Sequence, residues 1–89
     1  MGTIWEAKYG PIEIDRETGE GEPGFLFRAQ DALAPMALEA YAGLLEAASL
    51  NPFTPIDACE RAASMATRAR DEAARFRAWQ AVNVARIPD

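Results

Sequence analysis

The spacing of apolar positions divides the chain into a strand-like first third and a helix-like remainder. "TIWEAKY" (3–9) partly alternates, with Trp5 and Ala7 opposite Ile4 and Lys8, and "IEI" (12–14) alternates strictly. Alternation with β-branched residues predicts two strands, and Gly10-Pro11 between them predicts the turn. "DRETGEGEPG" (15–24) sets charges among glycines and a proline, which predicts a mobile loop. "FLFR" (25–28) is then expected as a third strand of a small antiparallel ribbon. A bare ribbon is marginally stable, so it is expected to pack on helices or on a partner chain.

From residue 31 the period becomes helical. Leu33, Met36/Ala37, Ala40/Tyr41, Leu44/Leu45 and Ala48 recur at the spacing of one helix face. Asp31 is the expected N-cap, Pro35 fits the first turn, and Ser49-Leu50-Asn51-Pro52 ends the helix. A second helix starts with Thr54 as N-cap, Pro55 at the first helical position and Asp57 in the place of a capping-box acid. Cys59, Ala62, Ala66, Ala69, Ala73 and Phe76 follow in 3-4-3-4-3 spacing, a narrow seam whose alanines let another helix backbone come close. This helix is expected to run to about Val82. The short connection at 49–54 makes the helices antiparallel neighbours. The expected fold is α+β in one domain, 1–89: a ribbon over about 3–28, a helical hairpin over about 31–82 and a tail over 83–89.

Composition narrows the chemistry. A chain of 89 residues buries a modest core, and a single cysteine, Cys59, offers no disulfide to reinforce it. Self-association is the expected remedy. The lone cysteine, the absence of a signal-like N-terminus and the lack of a long apolar run predict a cytoplasmic protein with no membrane partner. A net charge of −5 argues against a DNA or RNA binder. The chain has no histidine, no zinc pattern and no phosphate-loop motif, so neither an enzyme nor a cofactor is expected. The positive charge is local: Arg61, Arg68, Arg70, Arg75, Arg77 and Arg86 lie in the last third, where no lysine occurs.

Three groups of residues have two readings each. Arg28 and Gln30 face the strand–helix junction, either as partners of Asp31 or as donors to a ligand's phosphate or base edge. Arg61, Arg68 and Arg75 share a helix face, with Arg70 and Arg77 in a second row. They form either a solvated face with i,i+4 pairs Asp57–Arg61 and Asp71–Arg75, or a planar recognition surface. Trp79 and Asn83, near Arg75 and Arg86, either cover the end of the core or offer a platform and an amide to a nucleobase. Cys59 belongs to the seam, and Met36 and Met65 fill gaps. The candidate ligand set is Arg28, Gln30, Arg75, Trp79, Asn83 and Arg86, in a pocket completed by a neighbouring chain.

The order of these residues resembles a known pattern. A strand ending in Phe27-Arg28, then Gln30-Asp31, a helix with an early Pro35 and an inward Tyr41, and a second helix ending Phe76-x-x-Trp79-Gln80 before Pro88-Asp89 is similar to the helical-hairpin domain of phage anti-Thoeris and anti-CBASS sponge proteins. The N-terminal ribbon favours the anti-Thoeris branch. The resemblance implies a non-catalytic protein of the host-cell cytoplasm that sequesters cyclic nucleotide immune signals, either cyclic ADP-ribose isomers or cyclic oligonucleotides. It also implies a homo-oligomer, commonly a hexamer, with pockets between chains. The alternative is a small phage or bacterial protein–protein interaction module without a nucleotide ligand, using its acidic loop and first helix face as the contact surface.

Overall fold

The computed structural model describes residues 1–88. It is α+β: strands β1 (Gly2–Glu6), β2 (Gly10–Ile14) and β3 (Pro23–Gly24) precede helices α1 (Ala34–Leu50) and α2 (Ile56–Gln80). Asp89, part of the resemblance, lies outside the described residues.

The sheet order is β2-β1-β3. β1 and β2 pair antiparallel from Gly2↔Ile14 to Glu6↔Gly10. The turn is therefore Ala7–Tyr9, and the expected turn residues Gly10-Pro11 open the second strand. Gly10 closes the three-residue connection at φ 77°, a conformation that strongly favours glycine. Pro11 sits on an edge strand opposite Trp5, whose own N–H turns away to Glu22 O at 2.9 Å. The missing proline N–H thus removes no ladder bond.

The third strand is not where composition placed it. β3 is Pro23–Gly24 and runs parallel to β1, so the sheet is not purely antiparallel. Gly24 meets the pairing requirement because a Cβ there would run into Ile4 Cγ2. Phe25–Arg28 follows as irregular chain, with the Phe25 and Phe27 rings edge-on at 5.2 Å. The 15–24 segment, expected to be mobile, is bonded to β1 at two points: Thr18 Oγ1 accepts from Thr3 N at 3.1 Å and Glu22 O from Trp5 N at 2.9 Å.

Neither helix has a side-chain N-cap. Asp31 was expected to cap α1, but residues 30–32 are already committed to a parallel bridge with Arg86. Arg86 N donates to Gln30 O and Ala32 N to Arg86 O, each at 2.9 Å. The chain turns into the helix only after Leu33, and Asp31 Oδ1 instead accepts from Leu33 N at 2.9 Å. Before α2 the cap position belongs to Pro55, whose carbonyl accepts the first helical bond, from Cys59 N. Thr54 is thus one residue too early. α2 ends at Gln80, two residues before Val82.

The seam is as expected. Ala66, Ala69 and Ala73 are buried against α1, with Cys59, Ala62 and Phe76 half-buried along the same line. On α1 the facing residues are Pro35, Leu38, Ala42 and Leu45, so the expected face is rotated: Leu33, Met36, Ala40, Leu44 and Ala48 are exposed. Tyr41, expected inward, is 50 % exposed on the flank. No strand residue comes within 8 Å of a helix residue, Cα to Cα, so the ribbon does not pack on the hairpin. The two are joined by the 30–86 bridge and by Gln80, whose amide donates to the carbonyls of both Ala29 and Asp31 at 2.9 Å. Among the described residues no helix is long and apolar enough to cross a membrane.

Candidate functional site

The turn of the ribbon and the strand–helix junction enclose a hollow of about 180 Å3, lined by Glu6, Ala7, Lys8, Tyr9, Phe25, Leu26, Arg28, Gln30, Asp31 and Pro88. Its geometry starts at Glu6. Residues alternate along β1, and Glu6 falls at the last position before the turn, 5 % exposed. A buried carboxylate requires hydrogen bonds. Glu6 Oε1 accepts from Lys8 N and Oε2 from Leu26 N, each at 2.7 Å. One side chain therefore shapes the turn and ties the Phe25–Arg28 segment beside it.

These N–H donors, Lys8 first and then Leu26, hold the Glu6 carboxyl below its ordinary value of 4.5 against the opposing effect of desolvation. A depressed folded pKa means that this contribution is complete above 4.5 and lost as pH falls through the folded value. In an NMR pH titration, the Leu26 and Lys8 amides are expected to shift together with a midpoint below 4.5. A midpoint at or above 4.5 would show that the carboxylate does not hold them.

Above Glu6, Arg28 folds back on Tyr9. Its Nη1 donates to Tyr9 Oη at 3.2 Å, and its guanidinium carbon lies 5.7 Å from the ring centroid. Lys8 Nζ lies at the same distance from that ring. Among the described residues no carboxylate is within ion-pair distance of Arg28, so its charge is held by an aromatic face and remains available to an anion. Gln30 stands on the same wall, its carbonyl engaged by Arg86 N. The hollow brings together two cations, the carboxylates of Glu6 and Asp31, both already accepting backbone N–H bonds, aromatic rings of Tyr9 and Phe25, and an amide. This set suits an anion carrying a planar ring.

The other expected site residues are placed elsewhere. Arg75 pairs with Glu72 at 2.8 Å, not with Asp71, and borders a second, open hollow of about 480 Å3 between the helices. Leu38, Tyr41, Met65, Arg68, Ala69, Asp71 and Glu72 line the rest of it. Asn83 Nδ2 bonds Trp79 O at 2.9 Å and so finishes the last turn of α2. Trp79 stands 41 % exposed. Arg86 meets the junction through its backbone. Trp79, Asn83 and Arg86 line neither hollow. The Asp57–Arg61 pair forms at 3.1 Å, whereas Arg70 reaches across to Glu46 at 2.7 Å and Arg77 to Glu39.

Sequence reasoning missed Glu6, Lys8 and Tyr9 because they reach the hollow from a turn about twenty residues before Arg28. One signal was available: Glu6 occupies an inward position of an alternating strand, where a charge needs a reason. Gln80 stands beside Trp79 in the sequence, but its joint hold on Ala29 and Asp31 depends on the fold.

Among the described residues no three His, Cys, Asp or Glu side chains group as metal ligands. No protein-family model matches the chain, and no curated protein or solved structure is found to be similar to it.

Proposed function

We propose that this protein is a non-catalytic sponge that binds and sequesters cyclic nucleotide signals, cyclic ADP-ribose isomers or cyclic oligonucleotides, and so blocks host anti-phage defence. The observation that carries the reading is the hollow at the ribbon turn, where Arg28 and Lys8 share the Tyr9 ring and Gln30 stands beside them. The cations suit phosphate, the rings suit a base face and the amide suits a base edge. The Glu6 carboxyl is moved down, away from the range a general base needs. Small-molecule pockets run from about 300 to 1,000 Å3. At about 180 Å3 the hollow holds part of such a ligand, and a second copy of the chain completes it.

The test is to incubate the protein with a panel of cyclic nucleotides, denature it by heat and analyse what is released. An unmodified nucleotide is the expected product. Arg28→Ala is expected to weaken binding roughly ten- to hundredfold, because a hydrogen bond to a charged group contributes about 1.5–3 kcal/mol. Melting should be nearly unchanged, since Arg28 is exposed and its side chain is held by one hydrogen bond and the ring face of Tyr9. Normal binding with early melting would make Arg28 structural.

A protein-interaction module is the second reading. It is favoured by the outward Met36, Tyr41 and Leu44 of α1 and by Leu50, Phe53 and Ile56 at the hairpin tip. Retention of no nucleotide across the panel would favour it.

A further inference from the structure

The two sides of the helical hairpin differ. On one side ion pairs Glu39–Arg77 and Glu46–Arg70 close the line between α1 and α2. On the other side no ion pair spans the helices among the described residues, and the open hollow of about 480 Å3 lies there. Ala69 is its floor, with Leu38, Tyr41 and Met65 as apolar walls. At its rim Arg68 and Asp71 have no ion-pair partner among the described residues, whereas Arg61, Arg70, Arg75 and Arg77 of the same helix are paired.

The surface inventory indicates how much is left to cover. The chain exposes 6659 Å2. A compact monomer of 9.7 kDa is expected to expose roughly 5,100 Å2. The excess of about 1,500 Å2 exceeds the roughly 800 Å2 per partner that a standard interface covers. The Cα radius of gyration, 15.1 Å, likewise exceeds the roughly 12 Å of a compact chain of this length. Large apolar residues such as Met36, Tyr41 and Leu44 stay exposed, and among the described residues the buried apolar core contains only alanines and Pro35.

We infer that the open side of the hairpin docks a second copy of the same chain, forming a two-fold four-helix arrangement. The charge pattern is self-complementary: a two-fold axis beside the 68–71 turn of α2 sets Arg68 of each copy against Asp71 of the other, as an isologous interface requires. Met65 and Tyr41 of one copy then enter the alanine-floored hollow of the other. The inference deepens the proposal that the chain self-associates and does not depend on what the ribbon hollow binds.

Sedimentation equilibrium on the full chain tests it, alongside the nucleotide-release assay. The wild type is expected to self-associate. Arg68→Asp and Asp71→Arg, each alone, should raise the dissociation constant about tenfold or more by placing like charges face to face. The double swap should restore the wild-type value. Met65→Glu should also dissociate the pair while leaving the helical circular dichroism intact, because Met65 is a flank residue. A monomeric wild type overturns both the seam and self-association. A monomer also removes the second copy assigned to the ribbon hollow, whereas an oligomer indifferent to both single reversals overturns the Arg68–Asp71 interface alone and leaves the nucleotide assay to speak for itself.

Discussion

Replacing Ala42 by leucine is expected to lower the melting temperature by about 5–20 °C, the largest effect of a single side chain in this fold. Ala42 is 0 % exposed and packs with Ala66 and Ala69 between the helices. The seam is narrow because its side chains stop at Cβ, so three added carbons have no void to enter. They must displace a helix or force strained rotamers, which costs about 1–3 kcal/mol. In a domain of this size each kcal/mol shifts melting by about 4–8 °C. Ala40→Leu provides the control: the site is exposed, and its effect should stay within about 0.5 kcal/mol. Equal melting of the two variants by circular dichroism would mean that the helices are not held at alanine distance.

Gln80→Ala should produce the second-largest effect, of a different kind. The Gln80 amide supplies donors to Ala29 O and Asp31 O at once, across about fifty residues of chain. Without it the half-buried Ala29 carbonyl loses its partner, at about 1–3 kcal/mol, and Asp31 O keeps only the bond from Ala34 N. The loss should be local. The amides of Ala32 and Arg86, which close the neighbouring bridge, should lose hydrogen-exchange protection, while those in the middle of α2 keep theirs. Gln80→Glu should be worse, since it turns a carboxylate oxygen toward the same two carbonyls. Unchanged protection at Ala32 and Arg86 would remove Gln80 from the junction.

What the residues revealed in advance follows the range of the interactions. The alanine seam was legible because 3-4 spacing is a property of one helix, and the helix pair followed from a connection too short to permit anything else. The first two strands were legible by alternation, although their turn lay earlier than Gly10-Pro11 suggested. The third strand was not. "FLFR" has the composition of a strand, but Pro23-Gly24 takes the place beside β1 because only glycine fits against Ile4. Both caps were misplaced, the first by a tertiary demand, since the bridge to Arg86 delays the helix, and the second locally, since Pro55 takes the cap position one residue after Thr54. The same holds at the site. Arg28 and Gln30 share a wall because they are neighbours in the chain, whereas Glu6, Lys8 and Tyr9 join them only through the fold.

The separation of ribbon and hairpin has a kinetic meaning. β1 and β2 meet across a three-residue turn, and α1 and α2 across a short connection, so each unit forms from contacts close along the chain. Such contacts assemble fast because little loop entropy opposes them. The bridge from Gln30 to Arg86 and the bonds from Ala29 and Asp31 to Gln80 span about fifty residues or more. They close after both units exist, and the wall that carries Arg28 and Gln30 reaches its final position at that last step. The hollow is therefore a late product of folding, completed when residues 29–31 meet residues 80–86.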